Sequence, residues 1–348
     1  MTETKISETP SIGIKHAKIL RGPHQIAFDL TYKCNFRCLH CYNLSGENIL
    51  NRNELKDNEV VSFIKDVSKL QPYNFCFCGG EPLLREKILY ESAKILADNG
   101  IIVSLVTNGS LVTRERAKKL KESGVKNVQV SLDGARAETH EMLRQYKNAF
   151  NLAVNAIRYF IEENYEEVSI AFIPTRFNYL EIEDTFYLCK ELGVDKVNVQ
   201  PLMLLGRTRL NSDIIPTPLQ YRWLVKKINE IQRKYKEPII QWGDPVDHLI
   251  RFRTLTQHCI NFVTVRANGD IAVSPYLQLT VGNIKRHSLK EYWDAGLPRI
   301  WELPIVKEFA KQINSVVEFN KSSVWFERNI EIDIIDDHLF EEKEVKNE

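Results

Sequence analysis

Between residues 26 and 203 the chain alternates short apolar runs with longer stretches whose apolar positions recur every three to four residues. The second pattern marks amphipathic helices, and short apolar runs bounded by turn residues mark buried strands. Strands are predicted at 26–30, 74–78, 101–106, 128–132, 168–173 and 197–201. Helices are predicted at 57–70, 86–98, 114–123, 149–161 and 182–192. In the first helix Val60, Phe63, Ile64, Val67 and Leu70 share a face, and Asp57 is placed to cap its start. Gly100, Gly124 and Gly193 fall at helix C-termini, where a left-handed residue ends the helix. Six strands alternating with five helices predict parallel βα units. Six units are too few for a closed eight-stranded barrel, so an open partial barrel and a doubly wound sheet both fit. In either, chemistry gathers at the C-terminal ends of the strands.

Beyond residue 204 the pattern changes. Residues 204–218 are loop-like and 219–236 form an amphipathic helix. Apolar runs at 262–265 and 271–273 flank Ala267-Asn268-Gly269-Asp270, a hairpin signal because Asn-Gly takes positive φ readily. A short helix follows at 288–294. The chain therefore divides into an N-terminal extension (1–23), a barrel (24–205), a linker and helix (206–236), a small α+β domain (237–315) and an acidic tail (316–348).

Composition narrows the class. The 348 residues are 43% hydrophobic and 27% charged, as in a globular protein. Lys+Arg 47 against Asp+Glu 46 gives a net charge of +1, without the basic excess of a nucleic-acid binder. No apolar stretch is long enough to span a bilayer, and residues 1–20 lack a signal-peptide pattern, so a cytoplasmic protein is expected. In that compartment seven cysteines point to metal ligation or catalysis rather than disulfides.

Three of them lie within eight residues directly after the first strand: Cys34-Asn35-Phe36-Arg37-Cys38-Leu39-His40-Cys41. A closed zinc site wants four ligands, whereas a [4Fe–4S] cluster on three cysteines keeps one iron open. A zinc site completed by His40 or Cys78 is the competing reading. After the second strand stands Cys78-Gly79-Gly80-Glu81-Pro82, whose paired glycines permit close backbone approach.

With the βα alternation, the CxxxCxxC loop and the GGEP turn resemble the radical S-adenosylmethionine (radical SAM) superfamily over about residues 24–205. The resemblance implies a partial (β/α)6 barrel, TIM-like, and a [4Fe–4S] cluster on Cys34, Cys38 and Cys41. Its open iron would chelate S-adenosylmethionine, and one electron, from a donor such as flavodoxin or ferredoxin, would release a 5′-deoxyadenosyl radical that abstracts hydrogen from substrate. It also implies His40 near the adenine, and Gly79, Gly80, Glu81 and Pro82 at the methionine amino end. Thr107 and Asn108, from the TNG pattern, would line the cofactor pocket. Ser131, from SLDG, would be a ribose or carboxylate contact, and Asp133 either a cofactor ligand or the cap of the following segment. Arg144 would face the cofactor carboxylate, although Gln145 replaces the glycine commonly found after it.

Residues 259–293 resemble the SPASM/Twitch extension of peptide-modifying and cofactor-maturing members, which ligates one or two auxiliary clusters. Here Ser274 stands where a second cysteine would be, and no cysteine follows Cys259. One cluster is therefore expected, with Cys189 in the core and Cys76 and Cys78 on one face of the second strand. The extension implies maturation of a ribosomally made precursor peptide by crosslinking, epimerisation or backbone change. In an epimerisation, Cys78 or Cys259 would donate hydrogen. About 25 residues precede the first strand, so leader recognition would fall to a separate leader-binding protein, the tail or the second domain. The alternatives are maturation of a tetrapyrrole- or quinone-type cofactor and, in another class, a non-catalytic iron–sulfur scaffold.

Overall fold

Seven parallel strands follow one another in chain order: β1 Gln25–Thr31, β2 Asn74–Gly79, β3 Ile102–Thr107, β4 Val125–Ser131, β5 Glu167–Phe172, β6 Lys196–Val199 and β7 Ile239–Trp242. They come from a computed structural model that describes residues 20–46, 53–254, 260–316, 318 and 330–340. Along β1, β2 and β4 one face carries Ile26, Phe28, Leu30, Phe75, Phe77, Val128 and Val130, all essentially inaccessible. This face packs on the helices α1 Asp57–Leu70, α2 Glu86–Asp98, α3 Arg114–Glu122, α5 Ala149–Glu162, α6 Ile182–Leu192 and α7 Pro218–Lys234, while α4 Ala137–Arg144 lies against α5. The other face, by the two-residue period of a strand, turns Asp29, Cys76, Cys78, Ser104, Gln129 and Asn198 to the concave interior.

Most of this order follows the predicted pattern. The five face residues of α1 are all buried. Asp57 does not cap α1, however. Lys56 occupies that position and its N–H donates to the Glu59 carboxylate at 2.7 Å, which leaves Asp57 in the first turn.

Three elements depart from the predicted pattern. β7, only four residues long, continues the parallel sheet beyond β6. After α8 Pro245–Thr254, strand β8 Phe262–Val265 returns to pair parallel with the opposite edge, at β1. Eight parallel strands thus run β8-β1-β2-β3-β4-β5-β6-β7, open between β7 and β8. The Asn-Gly turn does form the hairpin of β8 with β9 Asp270–Ser274, and β10 Leu277–Asn283 and β11 Ile330–Glu331 extend that edge. The third departure is α4, which presents His140, Leu143 and Arg144 inward. Two further helices, α9 Leu289–Asp294 and α10 Pro304–Lys311, complete the described elements. No described helix is long and apolar enough to cross a membrane.

Candidate functional site

The loop after β1 carries Cys34, Cys38 and Cys41 together: Cys38 packs with Phe36 and Ala149, and Cys34 and Cys41 lie against that cluster. Each sulfur meets an N–H donor. Phe36 N reaches Cys34 Sγ at 3.4 Å, Ser45 N reaches Cys41 Sγ at 3.4 Å, and Arg144 Nη1 reaches Cys38 Sγ at 3.8 Å. Asn108 Nδ2 adds a second contact to Cys34 Sγ at 3.9 Å. Burial pushes the Cys38 thiol up to about 12, against the pull of Arg144. The loop is held from α4 by Leu39 N donating to Leu143 O at 2.8 Å.

The GGEP turn presses on the start of this loop. Gly80 N donates to Thr31 O and Glu81 N to Lys33 O, at 2.7 and 2.8 Å. A Cβ at Gly80 would stand 2.0 Å from Lys33 O, and Gly79 has φ +117. Both glycines are therefore needed by the chain's own loop-to-loop contact, before any ligand is considered. Pro82 opens the buried turn Pro82–Arg85.

The Glu81 side chain points inward. It is fully buried, and its oxygens accept from Thr107 Oγ1 (2.9 and 3.0 Å), Asn108 N (2.8 Å) and Leu83 N (3.1 Å). Burial raises its carboxyl to about 7, with these donors opposing. Thr107 is thus a brace between the ends of β2 and β3. Asn108 stands closer to the chemistry, with Nδ2 3.0 Å from Asn35 Oδ1 as well as beside Cys34.

A second hub lies beyond β4. Asp133, fully buried, meets Arg144 Nε at 2.6 Å and His40 Nε2 at 3.2 Å through one oxygen. The Arg144 contact is a close ion pair rather than a well-aligned hydrogen bond. The other oxygen accepts from Ile173 N at 3.0 Å. Burial alone would raise this carboxyl, but Arg144 and His40 outweigh it and hold it well below the usual carboxylate range. Burial lowers the His40 imidazole, with Asp133 opposing, and the ring faces Asp133 rather than the open mouth. Ser131 is half-buried at the end of β4.

The mouth of the barrel gathers Cys78 with three groups that the sequence pattern did not single out, Asp29, Tyr42 and Arg207. Cys78 Sγ donates to Asp29 Oδ1 at 3.4 Å. Its bond with Cys76, burial and the Asp29 charge keep this thiol well above its ordinary value. Tyr42 retains 41% of its surface, and burial of its hydroxyl, with the Asp29 and Cys78 charges adding, pushes it well above its ordinary value. Arg207, from the segment predicted as loop, is the largest omission. Its guanidinium donates to Cys38 O at 2.7 Å and Ser45 O at 2.8 Å. A groove of about 750 Å³ lies between α7 and the end of β7, with Tyr221, Val225, Trp242 and Val246 in its wall.

The remaining cysteines separate from the loop. Cys189 is buried on α6. Cys259 lies outside the described residues. Ser274 is buried, with Oγ 3.5 Å from His248 Nε2.

The family model of the radical SAM superfamily matches residues 29–189. Over 295 residues the chain is 30% identical to the AdoMet-dependent heme synthase of Methanosarcina barkeri, covering 78% of this chain and 82% of that protein. The chain belongs to the radical SAM superfamily. A second relative, the mycofactocin maturase MftC of Mycolicibacterium smegmatis, is 29% identical over 229 residues, covering 64% of this chain and 57% of that protein. Among solved structures, Streptococcus suis SuiB bound to S-adenosylmethionine superposes with a TM-score of 0.66 at 15% identity, covering 88% of this chain and 77% of SuiB. That likeness is one of fold, and it includes the open, mainly parallel sheet.

Radical SAM enzymes use a [4Fe–4S] cluster and S-adenosylmethionine, and the loop suits such a cluster better than a single ion. Among the described residues, the ligand atoms that gather within 4.8 Å are those of His287, Asp333 and Asp336, not the three sulfurs. Sulfurs spread more widely suit the separate corners of a cubane. A zinc ion completed by Cys78 does not fit, because Cys78 Sγ faces Asp29, and His40 turns Nε2 to Asp133 and keeps only its buried Nδ1 without a partner among the described residues. The His287 group is no rival, since Arg286 already pairs with both carboxylates.

Proposed function

We propose that this radical SAM enzyme matures a ribosomally made precursor peptide, with one cluster on Cys34, Cys38 and Cys41. When bound, the cluster and S-adenosylmethionine supply a 5′-deoxyadenosyl radical that takes hydrogen from the substrate. Asn108 and Arg144 orient the sulfurs by direct contact. The backbone of Gly79 and Gly80, the hydroxyl of Ser131 and the guanidinium of Arg144 line the cofactor's side of the mouth. Asp133 and His40 act through Arg144 and the loop, and Glu81 and Thr107 act through Asn108. Cys78, kept protonated, is the hydrogen-donor candidate should the product be an epimer. The electron comes from a low-potential carrier of the flavodoxin or ferredoxin class.

The interior carries this reading. Its inward side chains include hydroxyls, amides, thiols and one carboxylate, namely Ser104, Gln129, Asn198, Cys76, Cys78 and Asp29, beside the small or apolar Ala27, Val106 and Ala171. Lys196 shares that face only at the N-terminal end of β6, where it pairs with Glu167 at 2.8 Å. Amides and hydroxyls suit a peptide backbone, whereas a polycarboxylate needs cations to replace its lost hydration. Among proteins of this fold, SuiB has been solved with the precursor peptide SuiA and anSMEcpe with the Cp18Cys peptide, which supports a peptide in such a barrel. The groove between α7 and β7 offers further surface to an extended chain.

A tetrapyrrole substrate is the second reading, favoured by the heme synthase relative. The experiment is 5′-deoxyadenosine release by reduced, reconstituted protein. Release that rises with the peptide encoded beside the gene, and not with iron-coproporphyrin III, supports the peptide. A rise with the porphyrin alone overturns it. No release at all would leave an iron–sulfur scaffold. Iron should number about four per chain, as one cubane requires, and eight would show an auxiliary cluster.

A further inference from the structure

We propose that the hairpin turn of the small C-terminal domain belongs to the cofactor site: Asn268 holds Tyr32, and Tyr32 positions the cysteine loop. The inference rests on the cluster reading above. Tyr32 is buried and stands at the neck of that loop. Its carbonyl accepts from Gly46 N at 2.9 Å, so residues 32 and 46 clasp the stretch that contains Cys34, Cys38 and Cys41. The closing turn presses on the first ligand residue: at Gly46, where φ is +83, a Cβ would stand 2.9 Å from Cys34 O. The carbonyls on either side of Tyr32, Thr31 O and Lys33 O, are those that receive the N–H groups of Gly80 and Glu81.

The hairpin reaches Tyr32 at both ends. At the ring, Tyr32 Oη donates to Asn268 Oδ1 at 3.0 Å. At the backbone, Tyr32 N donates to Glu54 Oε1 at 2.8 Å, and Thr31 Oγ1 donates to the same carboxylate at 3.0 Å. The residue after Glu54 is tied to the turn, because Leu55 N donates to Ala267 O at 2.7 Å. Lys285 Nζ adds a bond to Asn53 O at 3.1 Å. Asn268 is itself held: Nδ2 donates to Asp270 Oδ2 at 2.7 Å, and Asn283 Nδ2 donates to Asp270 Oδ1 at 2.7 Å and to Asn268 O at 3.3 Å. With Nδ2 on a carboxylate, Oδ1 is fixed as the acceptor that Tyr32 meets. A ligand loop without a ladder of its own takes its order from such outer contacts. Tyr32 acts on the sulfurs through the loop, so it is a positioning residue. The C-terminal domain thereby has a part in cofactor binding that needs no cluster of its own.

The test compares Tyr32→Phe, Asn268→Ala and the double variant, with Tyr165→Phe as the structural control. Tyr165 Oη likewise donates to a carbonyl, Ala117 O at 2.7 Å, but on α3 rather than beside the loop. Reconstituted proteins are compared for iron loss to a chelator and for the EPR spectrum of the reduced cluster before and after S-adenosylmethionine is added. Y32F and N268A should each lose iron about 10-fold faster than wild type, the low end for outer supports of metal ligands. In both, part of the EPR signal should no longer respond to S-adenosylmethionine. The double variant should be no worse than the more severe single one, because both remove the same bond. Y165F should melt earlier but keep the wild-type iron loss and spectra. Should N268A fail to fold, Y32F decides alone, since it deletes only a hydroxyl. Wild-type iron loss and spectra in Y32F would overturn the proposal, as would an equal change in Y165F or a double variant whose two losses multiply. Wild-type protein that binds no iron would overturn the cluster reading itself, before any variant is made.

Discussion

Glu81 and Asp133 are two carboxylates with the same burial and opposite electrostatics. Both lie just beyond a strand end at the mouth of the barrel, and both are 0% exposed. Glu81 is met by neutral donors from Leu83, Thr107 and Asn108, and burial raises it to about 7. Asp133 is met by Arg144 and His40, which overcome its burial and hold it far below its ordinary value. Burial alone does not decide whether an acid is charged; the partner's charge does. One hub can therefore rest neutral near pH 7, while the other is a permanent anion that keeps a cation beside Cys38.

Removing that cation is the strongest way to break the contrast. Arg144→Met leaves Asp133 charged and buried with His40 as its remaining ionic partner. Breaking a buried pair from one side costs about 3–5 kcal/mol. Urea unfolding of the cluster-free protein at pH 7 should show a loss of this size. Adding Asp133→Asn to R144M should return part of it, because the uncompensated charge disappears. A loss near zero in R144M would mean that Asp133 is not held by its ion pair.

The pH dependence should separate the hubs next. An acid whose folded pKa is raised favours the folded state at low pH and loses that contribution as pH rises through the folded value. For Glu81 the window runs from its ordinary 4.5 to about 7. The loss across it is about 3 kcal/mol at 1.36 kcal/mol per pH unit. Glu81→Gln should flatten this fall, read as denaturation midpoints at pH 5 and pH 7.5. Asp133 has the opposite sign: its contribution is present above the ordinary 3.8 and fades only as pH falls below that. An E81Q variant with the wild-type slope between pH 5 and 7.5 would remove Glu81 as its source. A smaller effect belongs to Thr107→Val, which deletes a donor to Glu81. It should cost about 1–2 kcal/mol, and more above pH 7 than below, because the ionised carboxylate needs that donor most.

What the sequence made legible follows from how far apart the cooperating residues lie. The three cysteines and the glycine turn are local patterns, so their spacing announced them. The parallel helices and strands from residue 26 to 203 were legible for the same reason, since each repeats its own period. β7 escaped because Ile239–Trp242 is four residues long, too short to show a period. The hairpin at β8 was legible from Asn-Gly, but its pairing with β1 joins residues more than 230 apart, for which one sequence carries no sign. Helix α4 has no proline or glycine to mark its ends, and it carries Arg144. Arg207 lay in a stretch with neither period, and only the fold brings it to Cys38. Asp133 was visible as part of SLDG, yet its partners His40 and Arg144 become one hub only when β1, β4 and α4 converge.

The mildest change concerns the residue after Arg144. Gln145 ends α4 at φ 53, ψ 42, the left-handed region that favours the glycine usual in related enzymes. The departure in sequence is therefore not one in backbone: the turn keeps its shape and a non-glycine residue bears the strain. A left-handed conformation costs such a residue about 1–2 kcal/mol. Glycine would relieve this but would lose the bond from Gln145 Nε2 to Met142 O at 2.6 Å, and it would free the unfolded chain. Gln145→Gly should therefore stabilise the cluster-free protein by about 0.5 kcal/mol, read as a small rise in melting temperature. The Asp133 hub should be untouched, so Q145G should unfold in acid as wild type does. A fall in melting temperature would mean that the glutamine's own contact outweighs its backbone strain, and that this chain has adapted the turn beside Arg144 rather than merely tolerated it.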